Sequence, residues 1–167
     1  REETVPGQAP IKYQATGDGV TFFSDPTDRD TEITGPSSAK LFISSETVDA
    51  DLFVVLRVFS PDDSEVVFQG AIDPHTPIGQ GWLRASHRKL DDVLSTEYRP
   101  YHTHDEKQLL TPREIYELDI EIWPTSIVIP KGYRIAATVR GNDYEYPGGT
   151  GSARLSNFKN ELKGCGP

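Results

Sequence analysis

Cysteine and methionine are nearly missing from this chain: Cys165 is the lone cysteine and there is no methionine among 167 residues. One thiol cannot build a disulfide framework, so stability must come from a packed core, and the redox compartment stays open. A domain of about 150 residues buries roughly 68–70% of its unfolded surface, which is enough without staples. A chain that begins at Arg1 and lacks methionine is expected to have lost residues upstream, and no signal-peptide pattern remains in it. No apolar run approaches the ~20 residues of a membrane helix, so no membrane partner is expected. Localisation is otherwise unknown; a soluble, cytoplasmic setting is favoured over a secreted one. Positive charge is also scarce. With 17 Lys and Arg against 26 Asp and Glu, the net charge is -9. That balance excludes nucleic acid as a partner, because phosphate binding rests on clustered cations.

The strand-to-helix nucleophile motif Gly-x-Ser-x-Gly is absent too. Its nearest approach, Gly35-Pro36-Ser37-Ser38-Ala39, lacks the last glycine and leads into β-alternation, so it reads as an ordinary turn.

What is present is strand pattern. Tyr116, Leu118, Ile120 and Ile122 alternate with Glu117, Asp119 and Glu121, the period of two of a half-buried strand. Ile135, Ala137 and Val139 alternate in the same way with Arg134, Ala136, Thr138 and Arg140. The two runs are read as joined through a Trp123-Pro124 break and a Lys131-Gly132 turn. Further strands are expected at Val20–Phe23, Ala39–Ser45, Leu52–Phe59, Glu65–Gln69 and Gly81–Ser86, with a short one at Ile11–Ala15. Leu52–Phe59 is apolar on both faces and should be central. Pro61-Asp62-Asp63-Ser64 has the chemistry of a hairpin turn. The fold class is therefore all-β, antiparallel, with little helix; Arg88–Leu94 is the best short helix. Residues 1–19 form a lead-in and residues 20–167 a single β-sandwich domain.

The regularity stops between residues 87 and 112. A patternless loop of this length is uncommon in a compact domain unless functional or disordered, and its aromatic and apolar content argues against disorder. It is read as an ordered excursion that covers a sheet or reaches a partner. His102 and His104, at i and i+2, project to one side of an extended segment, but spacing supplies no third ligand, so no metal is assigned. His75 and His87 read as structural. Glu117, Asp119 and Glu121 read as a solvated face paired with neighbouring Lys or Arg. Asp49 and Asp51 offer too few oxygens for calcium. Trp82 and Trp123 are expected in the core. Tyr98, Tyr101, Tyr144 and Tyr146 suit a shallow sugar site or an interdomain contact.

Several of these segments carry a resemblance. Gly81-Trp82-Leu83-Arg84-Ala85-Ser86-His87-Arg88, Tyr98-Arg99-Pro100, His102 and His104, Ile120-Glu121-Ile122-Trp123-Pro124-Thr125-Ser126 and Gly132-Tyr133-Arg134-Ile135 follow in order. With Thr31–Pro36 and Asp51–Val54 they resemble the C-terminal domain of the X-prolyl dipeptidyl peptidase and cocaine esterase (CocE/NonD) acyl hydrolases, over residues 28–144. The resemblance implies a jelly-roll β-sandwich of the galactose-binding type that follows an α/β-hydrolase domain with a Ser-Asp-His triad. That domain is the expected partner, and its triad would lie before Arg1, so no residue here is catalytic. The resemblance implies a further strand at the end of the sandwich, and none is expected from the pattern before Pro167. Expected interdomain or pocket-rim residues are Trp82, His87, Tyr98, Arg99, Tyr101, His102 and His104. No cofactor is expected, and a homo-oligomer contact is a further expectation. The alternative is a free-standing carbohydrate-binding module.

Overall fold

The computed structural model describes residues 19–68 and 76–144. The strands are β1 (Val20–Phe23), β2 (Thr31–Ile43), β3 (Asp51–Phe59), β4 (Glu65–Val66), β5 (Gly79–Arg84), β6 (Tyr116–Ile129) and β7 (Arg134–Arg140). A single 3-10 turn, Ala85–His87, is the one helical element among them. All pairings are antiparallel. One sheet runs β1-β7-β3, and the far edge of β3 is shared by β4 and β5; the second sheet is the long pair β2-β6. The all-β, nearly helix-free expectation holds, and β3 is central as its two apolar faces required.

The sheets meet through one face of each. Leu118, Ile120 and Ile122 of β6 pack with Leu52 and Val54 of β3, Leu83 of β5, Val139 of β7, and Leu110. Each fully buried Leu or Ile of this kind contributes roughly 1.5–3 kcal/mol of transfer free energy. A second cluster joins Ile129 to Val58 and Ile78. The inward residues of β6 are even-numbered before Trp123 and odd-numbered after Pro124. A period of two can change parity only if a residue is inserted. The register shows it: Gly35 opposes Thr125 while Ser37 opposes Ile122, so Pro36 faces the two residues Trp123 and Pro124.

This bulge corrects two expectations. Gly35–Ala39 is no turn; it lies inside β2, which starts at Thr31 rather than Ala39. Trp123-Pro124 does not separate strands; β6 passes through it to Ile129. Proline cannot donate to a ladder, and here both prolines stand where the pairing is already interrupted. The reversal comes at Lys131-Gly132, as expected: Tyr133 N–H donates to Pro130 O at 3.2 Å with Gly132 at φ +87°, the type II geometry that favours glycine.

The other face of the larger sheet is covered as well. Val55, Ala136 and Thr138 are buried, which overturns the one-faced reading of β7. Arg57 lies over them, held by Glu65 at 2.6 and 2.7 Å and donating to Thr138 Oγ1 at 3.3 Å. Tyr144 is buried and donates to Glu65 Oε1 at 3.0 Å, so it serves this cover and no exposed site.

The Pro61–Ser64 turn forms as expected, with Asp63 N–H donating to Ser60 O and Ser60 N–H to Ser64 O, both at 2.9 Å. The strand beyond it is short: β4 ends at Val66, and Phe68 makes only an isolated bridge to Thr76. Gly81–Ser86 divides into β5 and the 3-10 turn. Arg88–Leu94 is not helical. Asp91 there caps its own turn, accepting from the N–H groups of Val93 and Leu94 at 2.9 Å, a side-chain competition that favours turns over helix. Ile11–Ala15, His75, Tyr146 and Cys165 lie outside the described residues.

Candidate functional site

β5 approaches β6 far more closely than side chains permit. A Cβ placed on Gly81 would lie 2.0 Å from Glu121 O, and one on Gly79 would lie 3.1 Å from Ile122 Cγ2. The Gly79-Gln80-Gly81 alternation thus lets one backbone rest on another at the seam between the sheets. Beside that seam stand two tryptophans. Trp82 leaves β5 on the side away from Gly81 and Leu83, and Trp123 leaves the β6 bulge outward.

They are not core residues, contrary to expectation. Trp82 is 40% and Trp123 57% exposed, and their rings meet at 5.2 Å with a 55° tilt. Plain alternation is the cause: Trp82 stands between inward Gly81 and Leu83, Trp123 follows inward Ile122, and the residue inserted after it restores Ile127 and Ile129 to the core. The alternation of Leu118, Ile120 and Ile122, carried one residue further, and that of Gly81 and Leu83 were the sequence signals that could have shown this.

An open depression of about 540 Å³ lies beside Trp123, lined by Pro36, Arg99, Glu121 and Pro124 as well. Arg99 Nε is 3.6 Å from Glu121 Oε1. The result is an exposed aromatic and proline surface with one cation and one carboxylate at its rim. Pro36, Glu121, Trp123 and Pro124 were not anticipated as site residues.

Arg99 arrives from the 87–112 excursion, which is ordered and folded back on itself. Asp91 N–H donates to Tyr101 O at 2.8 Å and Thr103 N–H to Lys89 O at 3.1 Å, around a Leu90–His102 bridge. Ser38 Oγ donates to Glu97 O at 2.8 Å, tying the excursion to β2. His102 Nε2 donates to Asp119 O at 2.9 Å, tying it to β6. Burial is the main reason the His102 ring is held below its ordinary pKa, and the nearby His104 adds to that; the Asp119 carbonyl opposes it. Tyr98 and Tyr101 point out, 58% and 47% exposed.

The anticipated residues fall into two groups, with two tyrosines apart. Trp82 and Arg99 go with the tryptophan surface, and His87, His102 and His104 form a separate cluster at the excursion's base, while Tyr98 and Tyr101 stand exposed on the excursion between His87 and His102 in sequence. There His87 Nδ1 lies 3.1 Å from His104 Nδ1. Glu117 and Asp119 are a charged face as expected, both paired with Lys40 across the strands, the second at 2.9 Å. The Lys40 ammonium is held above its ordinary range by hydrogen bonds to Glu117 and then Asp119. Asp51 is occupied by Arg84 at 2.7 and 2.8 Å, and Asp49 by Ser86. Ser86 is 0% exposed and out of reach of any substrate.

Comparison with known proteins agrees with this architecture. Residues 5–155 match the X-Pro dipeptidyl-peptidase C-terminal non-catalytic domain. A Mycobacterium bovis protein named "Putative serine esterase" is 34% identical over 129 residues, which are 74% of this chain and 19% of that protein. The crystal structure of a CocE/NonD family hydrolase from Staphylococcus aureus is similar with a TM-score of 0.79 at 27% identity, covering 88% of this chain and 27% of that one. An aminopeptidase from a marine sediment archaeon, at 20% identity and TM-score 0.54, shares the fold. The chain spans about a fifth of the length of the curated relatives it matches. It belongs to the X-Pro dipeptidyl-peptidase C-terminal non-catalytic domain family.

Proposed function

We propose that this chain is the accessory domain of a larger serine hydrolase, docking on an α/β-hydrolase domain and walling one side of its substrate entrance. The jelly-roll winding that the family implies belongs to the same reading. The observation that carries it is the exposed Trp82–Trp123 pair. Contiguous exposed apolar surface on a soluble domain marks an interaction site, and Trp, Tyr and Arg are the residues that anchor interfaces. Pro36, Pro124 and Arg99 extend the patch, and Arg99 with Glu121 supplies a polar rim of the kind interfaces have. The share of the relatives' length that lies elsewhere leaves ample room for the occupant.

Replacing Trp82 and Trp123 together with serine tests this in two settings. In the isolated chain the loss is confined to the aromatic pair, about 1 kcal/mol, because both rings are already wet. In the full-length protein the same change lowers the stability of the joined domains and the hydrolytic rate by a larger margin. Equal effects in both settings would remove the docking role. The isolated chain is expected to turn over neither p-nitrophenyl esters nor an X-Pro chromogenic dipeptide, and serine-dependent turnover would overturn the accessory role. Retention on a glycan gel that depends on Trp123 or Tyr98 would favour a carbohydrate-binding module instead.

A further inference from the structure

The histidine cluster is independent of the docking surface and has its own chemistry. His87 ends the 3-10 turn, and that turn is anchored by Asp49, which accepts from Ser86 Oγ at 2.7 Å and Ser86 N–H at 3.0 Å. His104 sits at φ +54°, the left-handed region a non-glycine residue enters only when its surroundings hold it there. Thr103 and Asp105 do so from either side. Thr103 N–H donates to Lys89 O, the Thr103 hydroxyl donates to Asp105, and Lys89 Nζ closes the clamp on Asp105 Oδ2 at 3.0 Å. Two fixed backbones thus bring the Nδ1 atoms of two rings to 3.1 Å across a sequence gap of 17.

We propose that His87 and His104 form an open two-histidine site for a late first-row divalent cation such as nickel, copper(II) or zinc. Imidazole nitrogens bind such ions at about 2.0–2.1 Å. Two of them on one ion are then separated by about 3.3–3.4 Å at the tetrahedral angle and about 2.9 Å at a right angle, and the observed spacing falls between. Each lone pair must turn about 35° from the nitrogen–nitrogen line to point at a shared tetrahedral ion. His104 is exposed and His87 only half-buried, which leaves room for that turn and for water as the remaining ligands. Among the described residues no third His, Cys, Asp or Glu completes the set. His102 is a neighbour and no ligand: its ring is 6.0 Å from that of His104, and its Nε2 is committed to Asp119 O. Oxygen-preferring calcium and magnesium are excluded by the two nitrogen donors. A bound ion closes residues 87–104 into a loop stapled to the end of β5.

Calorimetric titration of the 167-residue chain with nickel(II) at pH 8 tests the site. One ion per chain is expected, with no heat from magnesium. Binding should weaken at least ~10-fold in His87→Gln and in His104→Asn, since losing a ligand costs at least as much as losing a partner behind one. Asparagine tolerates the left-handed backbone, so His104→Asn tests the ring and not the fold. His102→Gln keeps the binding. Absence of saturable binding, or binding unchanged in both ligand variants, overturns the site; so does loss in His102→Gln equal to that in the ligand variants.

Discussion

The seam between β5 and β6 and the excursion of residues 87–112 lie side by side, yet they are held by different physics. At the seam, glycine brings backbone onto backbone and buried Ile and Leu fill both flanks. The excursion contributes Leu110 to the core and otherwise stays in place through main-chain hydrogen bonds and polar anchors at Ser38, Asp119 and Asp49. Packing tolerates no added atom, whereas a polar strap tolerates change until an anchor is left unpaired. Breaking each in turn should give effects of very different size.

The largest effect is expected at Gly81. An alanine there places Cβ 2.0 Å from the Glu121 carbonyl, and because the obstacle is main chain, strand β5 or β6 must move. The cost should reach ~3 kcal/mol or more, at the upper end for overpacking. Gly79→Ala meets a movable Ile122 methyl at 3.1 Å and should cost clearly less. Urea denaturation of the two variants decides it; equal midpoints would show that the seam is not a backbone contact.

Asp49→Ala comes next, because it attacks the turn at the base of the strap. Asp49 accepts from Ser86 N–H, Ser86 Oγ and Ala50 N–H, and Ser86 has no access to water. Leaving those buried donors unpaired should cost about 2–3 kcal/mol. Hydrogen exchange should speed up from Ser86 through Gln108 and leave β6 protected. Uniform acceleration across both sheets would mean that the strap is not a separate unit.

The contrast also explains what could be read in advance. Period-of-two alternation located the first half of β6, where burial of one face dictates it, and β7, whose second face is covered as well; apolarity on both faces located β3. Gly35-Pro36 and Trp123-Pro124 read as breaks in the sequence because proline and glycine usually are. In the fold they stand opposite each other in a bulge, where one strand's apparent breaker excuses the other's. That pairing is non-local, and residues 87 apart reveal it only once the register is known. The misplacement of both tryptophans has a local source, since alternation beside Leu83 and Ile122 already puts them outside and their apolar bulk argued the other way. The excursion's hydrogen bonds, like the bulge, join residues such as Ser38 with Glu97 and His102 with Asp119, and no periodicity records them. The outward carboxylates of β6 were legible, since Lys40 had only to lie on the neighbouring strand.

The smallest effect should appear with acid, and it isolates His102. Burial depresses the pKa of this ring in the folded protein, while the unfolded chain keeps a value near 6.5. Above about pH 6.5 neither state binds the proton, and the strap has its full stability. As pH falls below that value the unfolded chain takes up a proton first, so stability declines until the folded ring also titrates. The main-chain groups of Asp119, Arg88 and Lys89 favour the charged ring and limit the decline, and a charged His104 deepens it. His102→Gln retains an N–H for the Asp119 carbonyl and removes the titration. Thermal melts of both proteins between pH 8 and 5, with chelator present, should therefore diverge below pH 6.5, the wild type falling faster. Parallel curves would mean that His102 is not buried against β6, and the strap's tie to the sheet would then have to rest on Ser38 and Arg99.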